Sequence, residues 1–366
     1  MWNQLPKESQ PEPTIIHTRK LKPRNTGIDF YSNDYLGLVK DKVFLSRIHE
    51  TLMQHPKSLL GNTGSRLISG NSDVLTSVEG YLAKLHAVDT ALLFPSGYTA
   101  NLALISTLIK KGDTLIVDEF VHRSIMDGYL MSTGTRWKFK HNDMQHLESL
   151  LKKSSGRIFI AVESLYSMNG DKAPLAAVIA LAKRYKAEVI LDEAHALGVF
   201  GLGLANQQKI QHEFLAITVT YGKAMGLYGA AILCSHALKN YLVQNASPFI
   251  YSTAIPDFHA LAVKESYDYL LESSELQERL QNNIVYFQSS GLPLTAESDS
   301  PIQIFKVAEG NSLNGLVDQL LAAGLLTYAI WPPTVPLGQE CLRISIHADH
   351  RMADMDLLIE ILKNYA

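Results

Sequence analysis

Between Thr90 and Leu233 the sequence alternates short apolar runs with helical stretches, and this alternation is compatible with few folds. The first unit contains predicted strands at Ala91–Phe94 and Leu115–Val117, joined through a Ser-Gly turn and a predicted helix at Thr99–Ile109. The alternation continues with a strand, a helix and three further strands, predicted at Ile158–Val162, Leu175–Tyr185, Val189–Leu191, Ala216–Thr220 and Ala230–Leu233. Such repetition is typical of a mostly parallel sheet covered by helices on both faces. The sequence therefore predicts an α/β fold that binds ligands at the carboxyl ends of its strands.

After Pro256 the pattern changes, which indicates a second domain. The elements predicted there are a long helical stretch, two well-separated strands and a final amphipathic helix, at 257–288, Ile302–Val307, Leu342–Ile346 and Met352–Leu362. We expect residues 41–260 to form the large, mostly parallel-sheet domain and residues 261–366 a smaller C-terminal α+β domain. Residues 1–40 are Pro-rich and irregular, so we expect them to pack on the small domain or on a partner subunit.

The composition excludes several classes of protein. Hydrophobic residues make up 46% of the 366 residues and charged residues 19%, values that exclude a disordered chain or a coiled-coil fibre. The 33 Lys and Arg nearly balance the 36 Asp and Glu, so no nucleic-acid or anionic-lipid partner is expected. Cys234 and Cys341 are too few for a disulfide framework, which suggests a cytoplasmic protein. The longest apolar run, Leu175 to Ala182, is too short to span a bilayer.

Three motifs follow predicted strands, where catalytic residues are usually placed. In Val189-Ile-Leu-Asp192-Glu-Ala-His195, a carboxylate ends a strand and an imidazole follows three residues later. Thr218-Val-Thr220-Tyr-Gly-Lys223 ends another strand with a lysine in a glycine-flanked turn. Pro95-Ser-Gly-Tyr-Thr-Ala-Asn101 leads into a helix whose first N–H groups suit a phosphate. Taken singly, each is more often structural: an N-cap, a solvated lysine or a simple turn.

Together these motifs match the requirements of pyridoxal 5′-phosphate. The cofactor's aldehyde needs an amine, and its pyridine nitrogen needs a carboxylate to stay protonated. Asp192 and Lys223 supply both, which argues against a non-catalytic homologue. A dinucleotide-dependent oxidoreductase is disfavoured because Gly201-Leu-Gly203-Leu-Ala-Asn206 lacks a third glycine and follows no clear strand. A hydrolase is disfavoured because the sequence has no Gly-x-Ser-x-Gly elbow.

Longer motifs extend over nearly the whole chain. They are Tyr31-Ser-Asn-Asp-Tyr-Leu-Gly-Leu38, Gly64-Ser-Arg-Leu-Ile-Ser-Gly70, Phe94-Pro-Ser-Gly97, Asp118-Glu-Phe-Val-His122, Phe139-Lys-His-Asn-Asp143, Glu163-Ser-Leu-Tyr-Ser-Met-Asn-Gly-Asp171, Asp192-Glu-Ala-His195, Thr220-Tyr-Gly-Lys223 and Tyr251-Ser-Thr253. With these motifs the chain resembles the α-oxoamine synthases, pyridoxal-phosphate enzymes of fold type I. Members of that family condense an amino acid with an acyl-CoA and release carbon dioxide.

The segment Ala329-Ile-Trp-Pro-Pro-Thr-Val-Pro336 is most similar to the biotin-pathway branch of the family. That branch joins L-alanine to pimeloyl-CoA or to a pimeloyl carrier protein. Two other branches remain as alternatives. One uses glycine and acetyl-CoA, as 2-amino-3-ketobutyrate CoA ligases do, and the other uses long-chain acyl donors.

The resemblance implies roles for four side chains around the cofactor ring. Lys223 would form the Schiff base with the cofactor and act as the general base, and Asp192 would pair with the pyridinium nitrogen. His195 would donate a hydrogen bond to the phenolic oxygen, and His122 would stack on the ring. These four are the expected catalytic residues.

The resemblance also implies contacts to the phosphate and to the substrate. The residues expected to complete the cofactor site are Gly97, Tyr98, Ser167, Thr220, Ser252 and Thr253. Of these, Ser252 and Thr253 would reach in from a neighbouring subunit, which implies a homodimer. Arg343, assisted by Asn33, would bind the carboxylate of the amino acid.

The sequence departs from the family pattern at Leu75, Ser247 and Trp331, and all three departures concern the acyl donor. We expect Trp331 to line the acyl-CoA approach, although a tryptophan beside Pro-Pro is as often simply buried. The segments Arg19–Gly27 and Tyr328–Leu337 are the expected walls of the acyl pocket.

Three further polar residues have less defined expectations. His141 and His146 are expected to be structural or exposed, because no cluster with metal-ligand spacing contains them and no metal is expected. Glu163 is expected to orient a neighbouring backbone group or the substrate.

Overall fold

A seven-stranded sheet forms the centre of the larger part of the molecule. The computed structural model describes residues 26–297, 299–332 and 334–366. The strands of the large sheet are β2 (Thr90–Phe94), β3 (Thr114–Asp118), β4 (Thr135–Phe139), β5 (Ile158–Glu163), β6 (Ala187–Asp192), β7 (Ala216–Thr220) and β8 (Ala230–Cys234). Their order is β2-β8-β7-β6-β5-β3-β4, and all neighbours are parallel except β8, which is antiparallel to both β2 and β7.

Every residue of β2, β3, β7 and β8 is buried, as expected for strands covered by helices on both faces. The α-helices are α1 (Lys42–Gln54), α2 (Asp73–Leu85), α3 (Gly97–Leu108), α4 (Arg123–Met131), α5 (Met144–Leu151), α6 (Leu175–Tyr185), α7 (Leu204–Gln207), α8 (His236–Asn245), α9 (Ser247–Ile250), α10 (Asp257–Glu272), α11 (Ser274–Gln288), α12 (Leu313–Ala322) and α13 (Met352–Lys363). Short 3₁₀ turns lie at Leu38–Lys40, Pro56–Leu59 and Gln211–Glu213. The predicted α/β fold is therefore confirmed.

A second, antiparallel sheet lies in the C-terminal part. Its strands, in the order β11-β12-β9, are Tyr328–Ile330, Cys341–Ser345 and Ile302–Phe305. The two-residue strand β1 (Ile28–Asp29) pairs with β10 (Leu325–Leu326), and Ser345 N donates to Phe30 O at 2.8 Å. The start of the described chain thus packs beside β12. The domain bounds at residues 40 and 260 stay predictions, and residues 1–25 lie outside the described residues.

Three differences between the predicted elements and the structure have a clear physical reason. Strand β4 was not predicted, because it lies at the sheet edge and is mostly exposed and polar. The long helical stretch after Pro256 is two helices, α10 and α11, since Ser273 between them leaves helical geometry with φ −116° and ψ 56°. Strand β11 was also not predicted, because a run of three residues carries no periodicity.

Within the described ranges, none of the helices is long and apolar enough to cross a membrane. The same ranges contain no cluster of three or more His, Cys, Asp or Glu side chains able to bind a metal ion.

Candidate active site

Asp192, the last residue of β6, is held by two donors. Its Oδ1 accepts from the backbone N–H of Ala194 at 2.8 Å, and its Oδ2 accepts from Asn101 Nδ2 at 2.6 Å. Asn101 also donates to Ser124 Oγ at 3.0 Å, and Ser124 Oγ lies 2.8 Å from His122 Nδ1. The carboxylate and the His122 ring are thus connected through one chain of hydrogen bonds, which fixes both relative to the sheet.

Lys223 lies in the turn after β7, close to this carboxylate. Among the described residues, no hydrogen bond or ion pair holds its ammonium group. Burial lowers the pKa of Lys223 to about 8, with Arg343 acting in the same direction and Asp192 and Glu163 opposing. A useful fraction of the amine is therefore neutral and nucleophilic at mildly alkaline pH.

Glu163 ends β5 directly opposite Asp192 in the sheet register and is buried. Its Oε1 accepts a short hydrogen bond from the backbone N–H of His122. Burial and then the charge of Asp192 raise the pKa of Glu163 to about 8, although Lys223 and the His122 N–H act in the opposite direction. Glu163 thus orients the backbone at His122, one of the two roles expected from the sequence.

Arg343, on β12, is buried with only neutral acceptors. Its Nε donates to Ser167 O at 2.8 Å and its NH1 to Ser345 Oγ at 2.9 Å. Its NH2 donates to Asn33 Oδ1 at 3.0 Å and to Tyr35 Oη at 3.2 Å. No carboxylate of the described residues lies within ion-pair distance of the guanidinium. A buried cation normally has a counter-ion, so this arrangement indicates a site for an anionic group.

Tyr35 connects this arginine to His195. Its hydroxyl lies 2.7 Å from His195 Nδ1 and 3.1 Å from Asn33 Oδ1. Because Arg343 already donates to Asn33 Oδ1, the shorter contact favours donation of the tyrosine proton to His195 Nδ1. Burial lowers the pKa of His195 well below its ordinary value, with the Lys223 and Arg343 cations adding to the effect. His195 is then neutral and carries its proton on Nε2.

The turn between β2 and α3 presents backbone donors. Ser96 caps the helix through a reciprocal bond with Thr99, which leaves the N–H groups of Gly97 and Tyr98 free of acceptors among the described residues. A Cβ on Gly97 would lie 2.4 Å from Thr220 Cγ2, so only glycine lets the loop approach β7 this closely. A helix N-terminus with free N–H groups is suited to a phosphate, and Thr220 lies directly beside this one.

Comparison with known proteins agrees with this geometry. The profile of the family "Aminotransferase class I and II" matches residues 25–362. The 8-amino-7-oxononanoate synthase of Buchnera aphidicola is 36% identical over 340 residues, covering 91% of this chain and 87% of that protein. The chain belongs to the α-oxoamine synthase family.

Solved structures of two members share the fold. The 8-amino-7-oxononanoate synthase from Francisella tularensis has a TM-score of 0.79 at 28% identity, over 92% of this chain and 97% of that one. A serine palmitoyltransferase from S. paucimobilis, solved with a bound PLP–myriocin aldimine, has a TM-score of 0.83 at 28% identity, over 92% and 86%. The fold is that of the fold-type-I pyridoxal-phosphate transferases, and the enzyme is pyridoxal-phosphate-dependent.

The residues of this α-oxoamine synthase fit the cofactor. The unpaired Lys223 amine, the buried Asp192 carboxylate and the free N–H groups at Gly97 and Tyr98 match its aldehyde, pyridine nitrogen and phosphate in chemistry. His122 is exposed and lies at the end of the same hydrogen-bonded chain as Asp192, as a stacking ring requires. Ser167 is half-buried and reaches the site through its carbonyl, which accepts from Arg343.

Other predicted residues of this synthase lie away from the buried side chains of Asp192, His195 and Arg343. Ser252 donates to Pro248 O at 2.6 Å, while Thr253 is exposed and bridges to Ser65; neither is bonded to the four catalytic candidates of its own chain. Trp331 follows β11, is half-buried and packs against the hydrophobic core. Leu75 is fully buried in α2, so it is a packing residue, and most of the segment Arg19–Gly27 lies outside the described residues.

The sequence analysis gave no role to Tyr35, Asn101 or Ser124. Tyr35 and Asn101 lie within motifs that were recognised, at Tyr31–Leu38 and Pro95–Asn101, and this membership was the only available signal. Ser124 follows His122 by two residues but carries no signal of its own, since its contact to Asn101 depends on the packing of α3 against α4.

Proposed function

We propose that this enzyme condenses L-alanine with a pimeloyl thioester, carried by CoA or by a carrier protein, to give 8-amino-7-oxononanoate and carbon dioxide. Relatives that are 34–37% identical over about nine-tenths of the chain bear the name of that activity. We further propose that it acts in the cytoplasm as a homodimer, with Ser252 and Thr253 completing the phosphate site of the partner subunit.

The observation that carries the proposal is the buried Arg343 without a carboxylate partner. An α-carboxylate is the anion that such a planar donor group binds best, and Asn33 and Tyr35 fix the guanidinium from one side. This site is linked through Tyr35 to His195, close to Lys223, so an amino acid bound by Arg343 would place its α-carbon toward the lysine.

The cofactor, when bound, supplies an electron sink for a carbanion at that α-carbon. Asp192 would hold a proton on the pyridine nitrogen, since it is buried and fixed by Asn101 and Ala194. His195, with its proton on Nε2, would donate to the cofactor's phenolic oxygen. Lys223 provides the amine for the aldehyde and, with a pKa near 8, takes the proton from the substrate.

A longer acyl donor is the second candidate, because serine palmitoyltransferases share the fold with TM-scores of 0.81–0.85. Trp331 also bears on this choice, since the family resemblance places it where the biotin branch would carry an arginine.

The two candidates are separated by product analysis. The purified holoenzyme is incubated with alanine, glycine or serine and with acetyl-, pimeloyl- or palmitoyl-CoA, and products are identified by mass spectrometry. We expect the combination of alanine and pimeloyl-CoA to give the highest kcat/KM. A higher kcat/KM for serine and palmitoyl-CoA would replace the proposal with the second candidate.

A further inference from the structure

His141 is bound by two carboxylates that belong to different parts of the chain. Its Nδ1 lies 2.9 Å from Asp118 Oδ1, and its Nε2 lies 2.6 Å from Asp171 Oδ2. A carboxylate only accepts, so both ring nitrogens act as donors and the ring is an imidazolium. Phe120 stacks on the ring with centroids 4.6 Å apart, and Tyr166 contacts it edge-on at 4.5 Å.

The two carboxylates are themselves held by further hydrogen-bond donors. Asp118 is fully buried and also accepts the N–H of Phe120 at 2.8 Å and the N–H of Asn142 at 3.0 Å. Asn142 Nδ2 donates to Asp171 Oδ2 at 3.3 Å. The motif Phe139–Asp143 thus has a local purpose that the catalytic site does not account for: it supplies the cation and the amide that join two acidic segments.

Each of these acidic residues begins or ends a segment that carries part of the active site. Asp118 ends β3, and the chain then runs through Phe120 to His122, whose N–H is bound by Glu163. Asp171 lies in the hairpin closed by the bridge between Leu165 and Lys172. Tyr166 and Asp171 are also paired there through their backbones, at 2.9 Å. Ser167, in the same hairpin, provides the carbonyl that accepts from Arg343 Nε at 2.8 Å.

We propose that the ion bridge Asp118–His141–Asp171 is a positioning device that holds the His122 loop and the Ser167 hairpin in register, so that Arg343 is aligned for the amino-acid substrate. The proposal rests on the proposed amino-acid site. His141 touches neither that site nor the cofactor residues, so it is a positioning residue and acts through Ser167 and His122.

The charge on His141 gives the bridge a pH dependence. Burial opposes the charge, but hydrogen bonds from the ring to Asp118 and then Asp171 outweigh it and raise the pKa of His141 to about 9. The other polar groups around His141 are Glu119, which accepts its backbone N–H at 2.9 Å, the Asn142 amide beside Nε2, and Tyr166, whose ring contacts the imidazole edge-on. Because the folded pKa is raised, the stabilisation is complete below the ordinary histidine pKa and is lost as the pH rises through about 9.

The variant His141→Gln tests the bridge, with His146→Gln as the matched control. His146 lies on α5, and its Nδ1 accepts the Lys140 N–H outside the bridge. At pH 7 we expect His141→Gln to weaken alanine binding about tenfold, measured by the absorption change of the holoenzyme, while the Kd of the cofactor changes less than twofold. Equal losses in alanine and cofactor binding, or an equal effect of His146→Gln, would overturn the proposal.

A charge-balance rescue separates positioning from general destabilisation. His141→Gln leaves two facing carboxylates without a cation, so adding Asp171→Asn should recover most of the alanine affinity. The melting temperature of the wild type should exceed that of the double variant by an amount that shrinks between pH 7 and pH 10. If His141→Gln does not fold, Asp171→Asn alone must show the alanine effect at smaller size, because it changes only the more exposed arm of the bridge. Failure of the double variant to recover affinity refutes the proposal.

Hydrogen–deuterium exchange tests the bridge independently of substrate. At pH 7 the peptides covering 118–122 and 164–173 should both exchange faster in His141→Gln than in the wild type and in His146→Gln. Faster exchange in only one of them would contradict the proposed link. If no small amino acid binds the wild-type holoenzyme, the proposed function is wrong, and this exchange measurement still decides the bridge.

Discussion

The group around Arg343 and the segments at residues 247–253 and 331–337 are built in opposite ways. Arg343, Tyr35 and His195 are buried and bonded to one another across more than a hundred residues of sequence. In the outer segments Tyr251 is 83% exposed and Leu337 76%, and the Ser252 hydroxyl donates to the carbonyl of Pro248, only four residues earlier. Long-range bonds within one chain therefore fix the amino-acid side, whereas Tyr251 and Leu337 in the outer segments are open to solvent. Substitutions in the two regions should differ accordingly.

Lys223→Ala gives the largest expected effect. It removes both the amine for the cofactor and the proposed base, so turnover should fall by about 10³-fold or more. The far-UV circular dichroism should stay unchanged, because the Lys223 side chain makes no hydrogen bond among the described residues and its backbone is kept in the variant. Wild-type turnover in this variant would show that Lys223 is not the catalytic lysine.

Asp192→Asn should lower turnover by about 10²–10³-fold. The amide cannot hold the pyridine proton, and its single oxygen can accept from only one of the two present donors, Ala194 N–H and Asn101 Nδ2. Bound cofactor is measured by absorbance in parallel with turnover, and some should remain. Unchanged Cα-proton exchange with deuterated solvent would mean that another group protonates the ring.

Arg343→Ala should act mainly on the amino acid. Loss of a buried charged partner costs about 2–5 kcal/mol, so the KM for alanine should rise about 30-fold or more. The Kd of the cofactor serves as the internal control and should change little, since Gly97 and Thr220 are untouched. A KM that does not move would place the carboxylate site elsewhere.

Trp331→Ala should give the smallest loss of activity of the four variants. It tests most directly whether the outer segment at 331–337 takes part in substrate binding. If Trp331 lines the acyl approach, the KM for pimeloyl-CoA should rise a few-fold and alanine binding should stay unchanged. If it serves only in packing, the melting temperature should fall and both substrates should be affected equally. Steady-state kinetics with each substrate varied, together with a thermal melt, distinguishes the two outcomes.

Residues whose position follows from local pattern could be predicted from the sequence, whereas contacts between distant segments could not. Lys223, Asp192 and His195 follow strand ends, and parallel strands bring such positions to one edge, so local pattern suffices to place them together. The contacts of Tyr35 with His195 and Arg343 join positions about 160 and 308 residues apart, and no local periodicity encodes such pairs. The roles of Ser252 and Thr253 depend on a second chain and stay predictions.

The place of β8 in the large sheet also constrains how the protein is made. Strand β2 has β8 as its sheet neighbour, and Thr90 pairs with Cys234, about 140 residues later. During synthesis β2 therefore has no sheet partner until the lysine turn after β7 has left the ribosome. Since α3 begins just after β2, the Gly97 turn reaches Thr220 only at that late stage. We expect the nascent chain to acquire cofactor affinity abruptly, with the closing of β8, rather than gradually as its strands are added.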